Sequence, residues 1–326
     1  MKFLNLLYIV LSLLLKLSFL LVIAFTIYIS MPIKTTETVT LPKGSITKTI
    51  SHLKEQGYNL NIIDTYILAY FLKQPKSGTL IIGKDSMRRI KFLQKLSSAK
   101  EAIDIITLIP GETKEIFLEE LAKKENLNFE KLNSYYDQFS LYKEAGVIPD
   151  TYHLAKNSNE KTIMKSLIQQ SQKRYREISI KYLNRYEESE WRRVLTIASI
   201  VQKEAANNQE MSTIASVIYN RLNRDMALQM DGTLNYGKYS HIKVTPKRIK
   251  EDKSRFNTYL NKGLPPYPIC SVSISAIKAT LNPKDTDYLY FMRNREGVHD
   301  FTNSYKEHLK NISKAKKALV DTQRGH

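Results

Sequence analysis

The sequence contains very little cysteine, and Cys270 is the only one among 326 residues. A single thiol excludes an internal disulfide and argues against a metal cluster built on cysteines. The sequence also lacks zinc, phosphate-loop and dinucleotide-binding motifs, and His299 and His308 do not have the spacing of metal ligands. Ser199 and Ser216 lack the glycine-flanked elbow of a serine nucleophile. We therefore expect no metal and no cofactor.

Acidic residues are scarce relative to basic ones. Asp and Glu number 32 against 50 Lys and Arg, which gives a net charge of +18 and a pI near 9.6. Part of the excess lies in two clusters, Lys243, Lys247, Arg248, Lys250, Lys253 and Arg255, and Lys306, Lys310, Lys314, Lys316 and Lys317. A basic surface can attract nucleic acid, anionic lipid or an anionic wall polymer, or it can be solvated without a dedicated partner. The usual signatures of nucleic-acid binding are absent, so we expect no nucleic-acid partner.

One stretch of the sequence is long and apolar enough to cross a membrane. Residues 6–29 are mostly Leu, Ile, Val, Phe and Ala, and at about 1.5 Å per residue a helix of this length spans a hydrocarbon core of about 30 Å. A cleaved signal peptide would have a shorter apolar core and a small-x-small site after it, which residues 29–33 do not offer. We therefore expect an uncleaved transmembrane helix at 6–29, preceded by a cytoplasmic segment at 1–5.

The rest of the chain mixes strand, turn and helix patterns. Over 38–84 the order is strand, helix, helix, strand, and Gly44 and Ser45 supply a tight bend and a helix cap. Residues 114–185 read mainly as helices, and 288–292 as a buried strand. The pattern predicts an α+β fold. The expected divisions are a small domain at 38–100, a larger mixed domain at 101–318 and a C-terminal tail at 319–326.

Glu204 is the strongest candidate for chemistry in the sequence. On a helix of about 3.6 residues per turn it shares one face with apolar residues, namely Val194, Ile197, Ile200 and Val201. Burial disfavours the charged form of a carboxyl, so such an acid can hold its proton to higher pH and donate it near neutrality. The alternative is a structural ion pair, for which Arg193 lies near the same face.

A series of motifs surrounds this helix. In order they are 149–152 (PDTY), 198–204 (ASIVQKE), 214–222 (IASVIYNRL), 228–233 (LQMDGT), 257–259 (NTY), 263–269 (GLPPYPI), 288–291 (YLYF) and 299–301 (HDF). In this order and spacing the sequence resembles the endolytic murein transglycosylase family of the bacterial inner membrane. The resemblance covers nearly the whole chain, and in that family the small domain is LysM-like.

The resemblance implies a lyase that cuts peptidoglycan glycan strands internally, between N-acetylmuramic acid and N-acetylglucosamine. Glu204 would act alone, first as acid and then as base, and would leave a 1,6-anhydro end, so no second carboxylate is needed. The substrate-binding residues implied around it are Asn220, Gln229, Asp231, Asn257 and Tyr259. The resemblance also implies a single-pass inner-membrane protein with a periplasmic catalytic domain. Such an enzyme would terminate nascent strands beside peptidoglycan synthases.

Three positions depart from the family pattern. Gln202 stands where the family often has Glu, Gly232 where it usually has Pro, and Val147 and Ile148 where it has aromatic residues. Two other functions are compatible with the sequence. One is a hydrolytic muramidase with Asp231 or Asp150 as the partner carboxylate, and the other is a non-catalytic peptidoglycan-binding scaffold.

Overall fold

The structure is a computed structural model that describes the backbone of residues 2–324 and the side chains of residues 3–314. Met1, from the expected segment 1–5, and residues 325–326, from the expected tail, lie outside the described residues. The backbone of 319–324 continues the last helix. The architecture is mixed helix and sheet, so the predicted α+β class is confirmed.

Helix α1 (Lys2–Ser30) contains the apolar segment. Within the part of the chain that the structure describes, Phe3–Ser30 is the one helix long and apolar enough to cross a membrane. Its side chains are nearly all exposed, as expected for a surface that faces lipid. The hydroxyls of Ser18 and Thr26 donate to the carbonyls of Leu15 and Val22, which satisfies them without water. The helix is compatible with the expected single-pass anchor.

One compact unit comprises the chain up to Asp104 together with His153–Asn157. Two antiparallel strand pairs and three helices follow α1, namely β1 (Pro32–Lys34) with β4 (Ser86–Arg88), β2 (Thr38–Leu41) with β3 (Gly78–Ile81), α2 (Ile46–Glu55), α3 (Ile62–Tyr70) and α4 (Arg89–Ser98). The Ser45 side chain caps α2, and Asn61 and Asp64 form a capping box on α3. The expected order of strand, helix, helix and strand is present. The sequence analysis did not identify the β1–β4 pair.

A buried ion pair joins α3 and α4 in this unit. Arg89 Nη1 lies 2.7 Å from Asp64 Oδ2, and both side chains are almost fully buried. The Tyr28 hydroxyl of α1 donates to the same carboxylate oxygen at 2.7 Å, and the guanidinium lies over the Tyr28 ring. The last turn of α1 is therefore fixed to the small unit by polar contacts as well as by packing.

The second unit comprises Ile105–Tyr152 and the chain from Ser158. Its helices are α5 (Lys114–Glu125), α6 (Phe129–Phe139), α7 (Glu160–Leu183), α8 (Glu188–Glu204), α9 (Met211–Asn223), α10 (Pro246–Glu251), α11 (Ile274–Leu281) and α12 (Tyr305–Arg324). Short 3-10 turns lie at Asp231–Leu234 and Gly237–Tyr239. Strand β5 (Ile103–Thr107) pairs with β6 (Thr151–Ala155), and the residues of these two strands are divided between the two units. Strand β7 (Tyr290–Arg293) pairs with β8 (His299–Thr302) within the second unit.

Helix α8 forms the centre of the second unit. Every residue from Val194 to Val201 is buried, so the helix is enclosed on all sides and not along a single stripe. The Ser199 hydroxyl donates to Thr196 O and accepts from Ile269 N, which explains how a polar residue is tolerated there. This packing holds the C-terminal end of α8, and with it Glu204, in a fixed position.

Candidate active site

Glu204 is the last residue of α8 and lines a cavity of about 420 Å³. The cavity wall continues through α9, the turn at 228–231, strands β7 and β8, and the first turns of α12. Glu204 Oε1 accepts a hydrogen bond of 2.7 Å from the backbone N–H of Gly232. The carboxyl is therefore held by the loop opposite the helix end, and it remains partly exposed toward the cavity.

Burial raises the pKa of Glu204 from 4.5 to about 7. The Gly232 N–H and the distant Arg221 charge oppose this rise, and the neighbouring Asp231 carboxylate adds to it. Arg221 does not pair with Glu204, because its guanidinium donates to the carbonyls of Leu289 and Leu228, each at 2.6 Å. The acid is therefore poised to exchange a proton near neutral pH.

The structural alternative for Glu204 required an ion pair with Arg193. Arg193 is exposed, and among the described residues no lysine or arginine forms a salt bridge with Glu204. An ionisable group that is half-buried without a cation and that lines a cavity is typical of a functional acid.

Gly232 allows its turn to approach the end of α8 closely in this structure. A Cβ at this position would lie 2.7 Å from Lys203 Cβ and 2.8 Å from Glu204 Oε1, which is closer than atoms can pack. Proline, usual here in the family, carries no N–H to donate. The departure noted in the sequence therefore gives Glu204 a hydrogen-bond partner.

Three of the expected substrate-binding residues, Gln229, Asp231 and Tyr259, line the cavity with Glu204. The Tyr259 hydroxyl donates to Asp231 Oδ1 at 2.8 Å. Gln229 has a left-handed backbone, with φ of 49°, and its N–H donates to Thr258 O. These bonds join the turn at 228–231 to the segment 257–259, so two motifs far apart in sequence form one wall.

The other two expected residues, Asn220 and Asn257, are not among the residues that line the cavity. The Asn220 amide donates to Thr286 O at 2.7 Å and Tyr288 O at 3.0 Å. Asn257 is fully buried, and its amide donates to Ile249 O and Asp252 O. Both side chains hold loops in place. Asp150, a candidate partner carboxylate, lines a different cavity.

Sequence reasoning missed the pairing of His299, which lines the cavity, with the side chain of Glu210. His299 Nδ1 lies 2.9 Å from Glu210 Oε2, and the backbone N–H of His299 donates to Glu210 Oε1 at 2.7 Å. The motif 299–301 was visible in the sequence, but a partner 89 residues away cannot be found from ligand spacing. Among the side chains that the structure describes, those of residues 3–314, no group of three His, Cys, Asp or Glu is arranged to hold a metal.

Comparison with known proteins gives matches at the level of family, sequence and structure. A model of the YceG-like family matches residues 39–314. The endolytic murein transglycosylase of Bacillus subtilis (strain 168) is 39% identical over 131 residues, which are 40% of this chain and 35% of that protein. The endolytic murein transglycosylase of Streptococcus pneumoniae serotype 2 is 38% identical over 126 residues, 37% of this chain and 23% of that protein. The matched segments thus span about a third or less of these relatives.

A solved structure also resembles the chain. The 2.6 Å crystal structure of a yceG-like protein from Listeria monocytogenes superposes with a TM-score of 0.55 and 25% sequence identity. The match covers 84% of this chain and 97% of the Listeria chain.

Proposed function

The chain belongs to the YceG-like family, and from that premise we propose that it is an endolytic transglycosylase that cleaves the glycan strands of peptidoglycan. The observation that carries the proposal is the position of Glu204. It is an acid with a pKa of about 7 in a cavity walled by three motif residues, Gln229, Asp231 and Tyr259. The curated relatives named endolytic murein transglycosylase support the same reaction class.

The proposed mechanism uses Glu204 twice. In the first step its proton passes to the glycosidic oxygen between N-acetylmuramic acid and N-acetylglucosamine as the bond to the anomeric carbon breaks. In the second step the resulting carboxylate removes the proton of the muramyl C6 hydroxyl, whose oxygen attacks the anomeric carbon. The product is a 1,6-anhydro end, and no water is consumed.

Two opposing effects on the protonation of Glu204 suit the two steps. Burial favours the protonated form, which the first step needs. The Gly232 N–H favours the carboxylate, because a hydrogen bond to the charged form stabilises it, and the second step starts from that form. A pKa near the working pH serves an acid that must become a base.

Around this centre we propose that Gln229, Asp231 and Tyr259 contact the sugars, and that Asn220 and Asn257 act by holding the loops. We further propose a LysM-like domain at 38–100, a catalytic domain at 101–318 and a single-pass anchor in the inner membrane with the catalytic domain in the periplasm. In that position the enzyme would end the elongation of nascent strands beside peptidoglycan synthases.

A second candidate function is hydrolysis. Asp231 lines the same cavity as Glu204 and its charge acts on the Glu204 carboxyl, so it could orient a water in the manner of a second carboxylate. The product would then carry a free reducing end. The Tyr259 hydroxyl already occupies one Asp231 oxygen, which favours the single-acid reaction.

The test uses the full-length protein in detergent with purified peptidoglycan, and the products are identified by mass. We expect 1,6-anhydro ends with the wild type and none with Glu204→Gln. The matched control is Glu188→Gln, the same chemical change at the exposed opposite end of α8, which should remain active. Products with a free reducing end would select hydrolysis. Binding to peptidoglycan without any product would select a scaffold.

A further inference from the structure

A second cavity in the catalytic unit is not used by the proposed mechanism. It has a volume of about 590 Å³ and lies between the start of α5, the segment 140–144 and the 3-10 turn at Gly237–Tyr239. Its polar wall contains Lys114, Glu115, Asp137, Lys143 and Glu144, together with tyrosines 236 and 267. Charged groups of both signs therefore face one cavity.

Glu144 is the most deeply buried of these groups, with 6% of its surface exposed. Its Oε2 accepts the N–H of Lys114 at the start of α5 at 2.9 Å, and among the described residues no donor reaches Oε1. Burial raises the pKa of this carboxyl to about 8, so at neutral pH it is mostly uncharged. An uncharged carboxyl can donate and accept a hydrogen bond at once, which matches an amide group.

Two charged groups in the cavity are free of ion pairs. Lys114 is already bound to Asp137 at 3.0 Å. Lys143 and Glu115 form no salt bridge within the described part of the chain, and the Lys143 ammonium lies 5.6 Å from the centre of the Tyr267 ring. The cavity thus offers a cation, an anion and a neutral carboxyl. A ligand with amides, a carboxylate and an amine complements all three.

The aromatic rings of the cavity argue against a sugar as its ligand. Tyr236 stacks on Phe256 with ring centres 4.3 Å apart. Tyr267 has Lys143 over its ring and the edge contact of Phe256 at 4.9 Å. Part of the surface of each ring is therefore taken by another side chain, which leaves less open aromatic face for a sugar ring to pack on.

The position of the cavity links it to the Glu204 site. Asp231 lines the cavity of Glu204 and Tyr236 lines the second cavity, and a chain of five residues spans at most about 18 Å. Peptidoglycan carries a short peptide on each muramic acid, so a strand bound at Glu204 brings a peptide close to this segment. We propose that the second cavity binds that peptide, with a peptide carboxylate at Lys143 and a peptide amide at Glu144. This inference depends on the proposed function, because it assigns a second part of the same substrate.

The experiment measures binding without cleavage. Full-length protein carrying Glu204→Gln, in detergent, is titrated with muramyl dipeptide and separately with N-acetylmuramic acid amidated at its lactyl carboxyl, which has the same sugar and lactyl group without the peptide. We expect muramyl dipeptide to bind more tightly. Lys143→Glu should weaken that binding by at least about fivefold, because it removes an exposed charge contact and places a like charge beside the peptide carboxylate, and Lys143→Arg should retain it. Neither Lys143 variant should change the affinity for the amidated N-acetylmuramic acid.

The matched control is Lys173→Glu, which makes the same change of charge at an exposed position on α7 and should leave both affinities unchanged. Equal affinity for the two ligands, or an equal loss in Lys143→Glu and Lys173→Glu, would overturn the proposal. Tight binding of a chito-oligosaccharide that is lost in Lys143→Glu would also overturn it, in favour of a sugar site. No step of this binding assay requires cleavage, so its failure would overturn the peptide site and leave the proposed cleavage reaction standing. Survival of cleavage in Glu204→Gln would instead overturn the proposed function.

Discussion

Replacing Asp231 with Asn tests whether the charge of Asp231 helps to raise the pKa of Glu204. The Asp231 carboxylate raises the pKa of Glu204, because a nearby negative charge disfavours a second one. Asparagine removes that charge and keeps an oxygen that can accept the Tyr259 hydroxyl, now 2.8 Å from Asp231 Oδ1. We therefore expect the pKa of Glu204 to fall while the cavity wall keeps its shape.

The size of the effect follows from the protonated fraction of Glu204. With a pKa of about 7 instead of 4.5, about half of the molecules hold the proton at pH 7, against about one in 300 for an ordinary Glu. Burial therefore multiplies the active acid form about 150-fold at neutral pH. Above its pKa, kcat/KM should fall about tenfold for each pH unit. Burial contributes more to the raised pKa of Glu204 than the charge of Asp231 does. Asp231→Asn should therefore move the alkaline limb of the kcat/KM profile to lower pH by only part of the difference between 7 and 4.5.

The assay is the initial rate of release of soluble fragments from peptidoglycan between about pH 5 and pH 9. Asp225→Asn serves as the control, since Asp225 is exposed and paired with Lys262, and its profile should match that of the wild type. An alkaline limb in Asp231→Asn at the same pH as in the wild type, or higher, would refute the reasoning. Loss of all activity in Asp231→Asn at every pH, together with free reducing ends in the wild-type products, would instead support hydrolysis with Asp231 as the second carboxylate.

Three further predictions concern packing and stability. Gly232→Ala places a methyl group 2.7 Å from Lys203 Cβ, so the turn must move and kcat should fall about 100-fold; an unchanged initial rate would contradict this. Asp64→Ala leaves the buried Arg89 without its partner and should lower the free energy of unfolding by about 3–5 kcal/mol. A loss in urea denaturation of less than about 1 kcal/mol would count against it. The folded-state pKa of Glu204 is raised from 4.5 to about 7, so its proton stabilises the fold below about pH 4.5 and this stability is lost as the pH rises through 7. Glu204→Gln should therefore be more stable than the wild type by about 2 kcal/mol at pH 8, allowing for partial exposure of the carboxyl, and the two proteins should have equal thermal midpoints near pH 4.

The sequence by itself determined those features that depend on neighbours along the chain. The apolar run that forms α1 and the helical spacing that places Glu204 among apolar residues are local patterns, and both match helices in the structure. The resemblance added Gln229, Asp231 and Tyr259, all of which line the cavity. A motif indicates which residues occur together in the sequence, but it does not indicate which of their side chains reach the cavity. Asn220 and Asn257 belong to the same motifs and bind backbone carbonyls.

Only the tertiary structure decided the features that join distant segments. Glu210 is 89 residues from its partner His299, and Gly232 is 28 residues from the carboxyl it binds. Glu144 gave no signal in the sequence, because its burial depends on how α5 and the segment 140–144 pack together. The pKa of an acid is set by the water it loses and the charges it meets, and both are properties of packing. The chain's local pattern therefore indicated which residue could be the acid, and the folded structure determined that its proton is held near neutral pH.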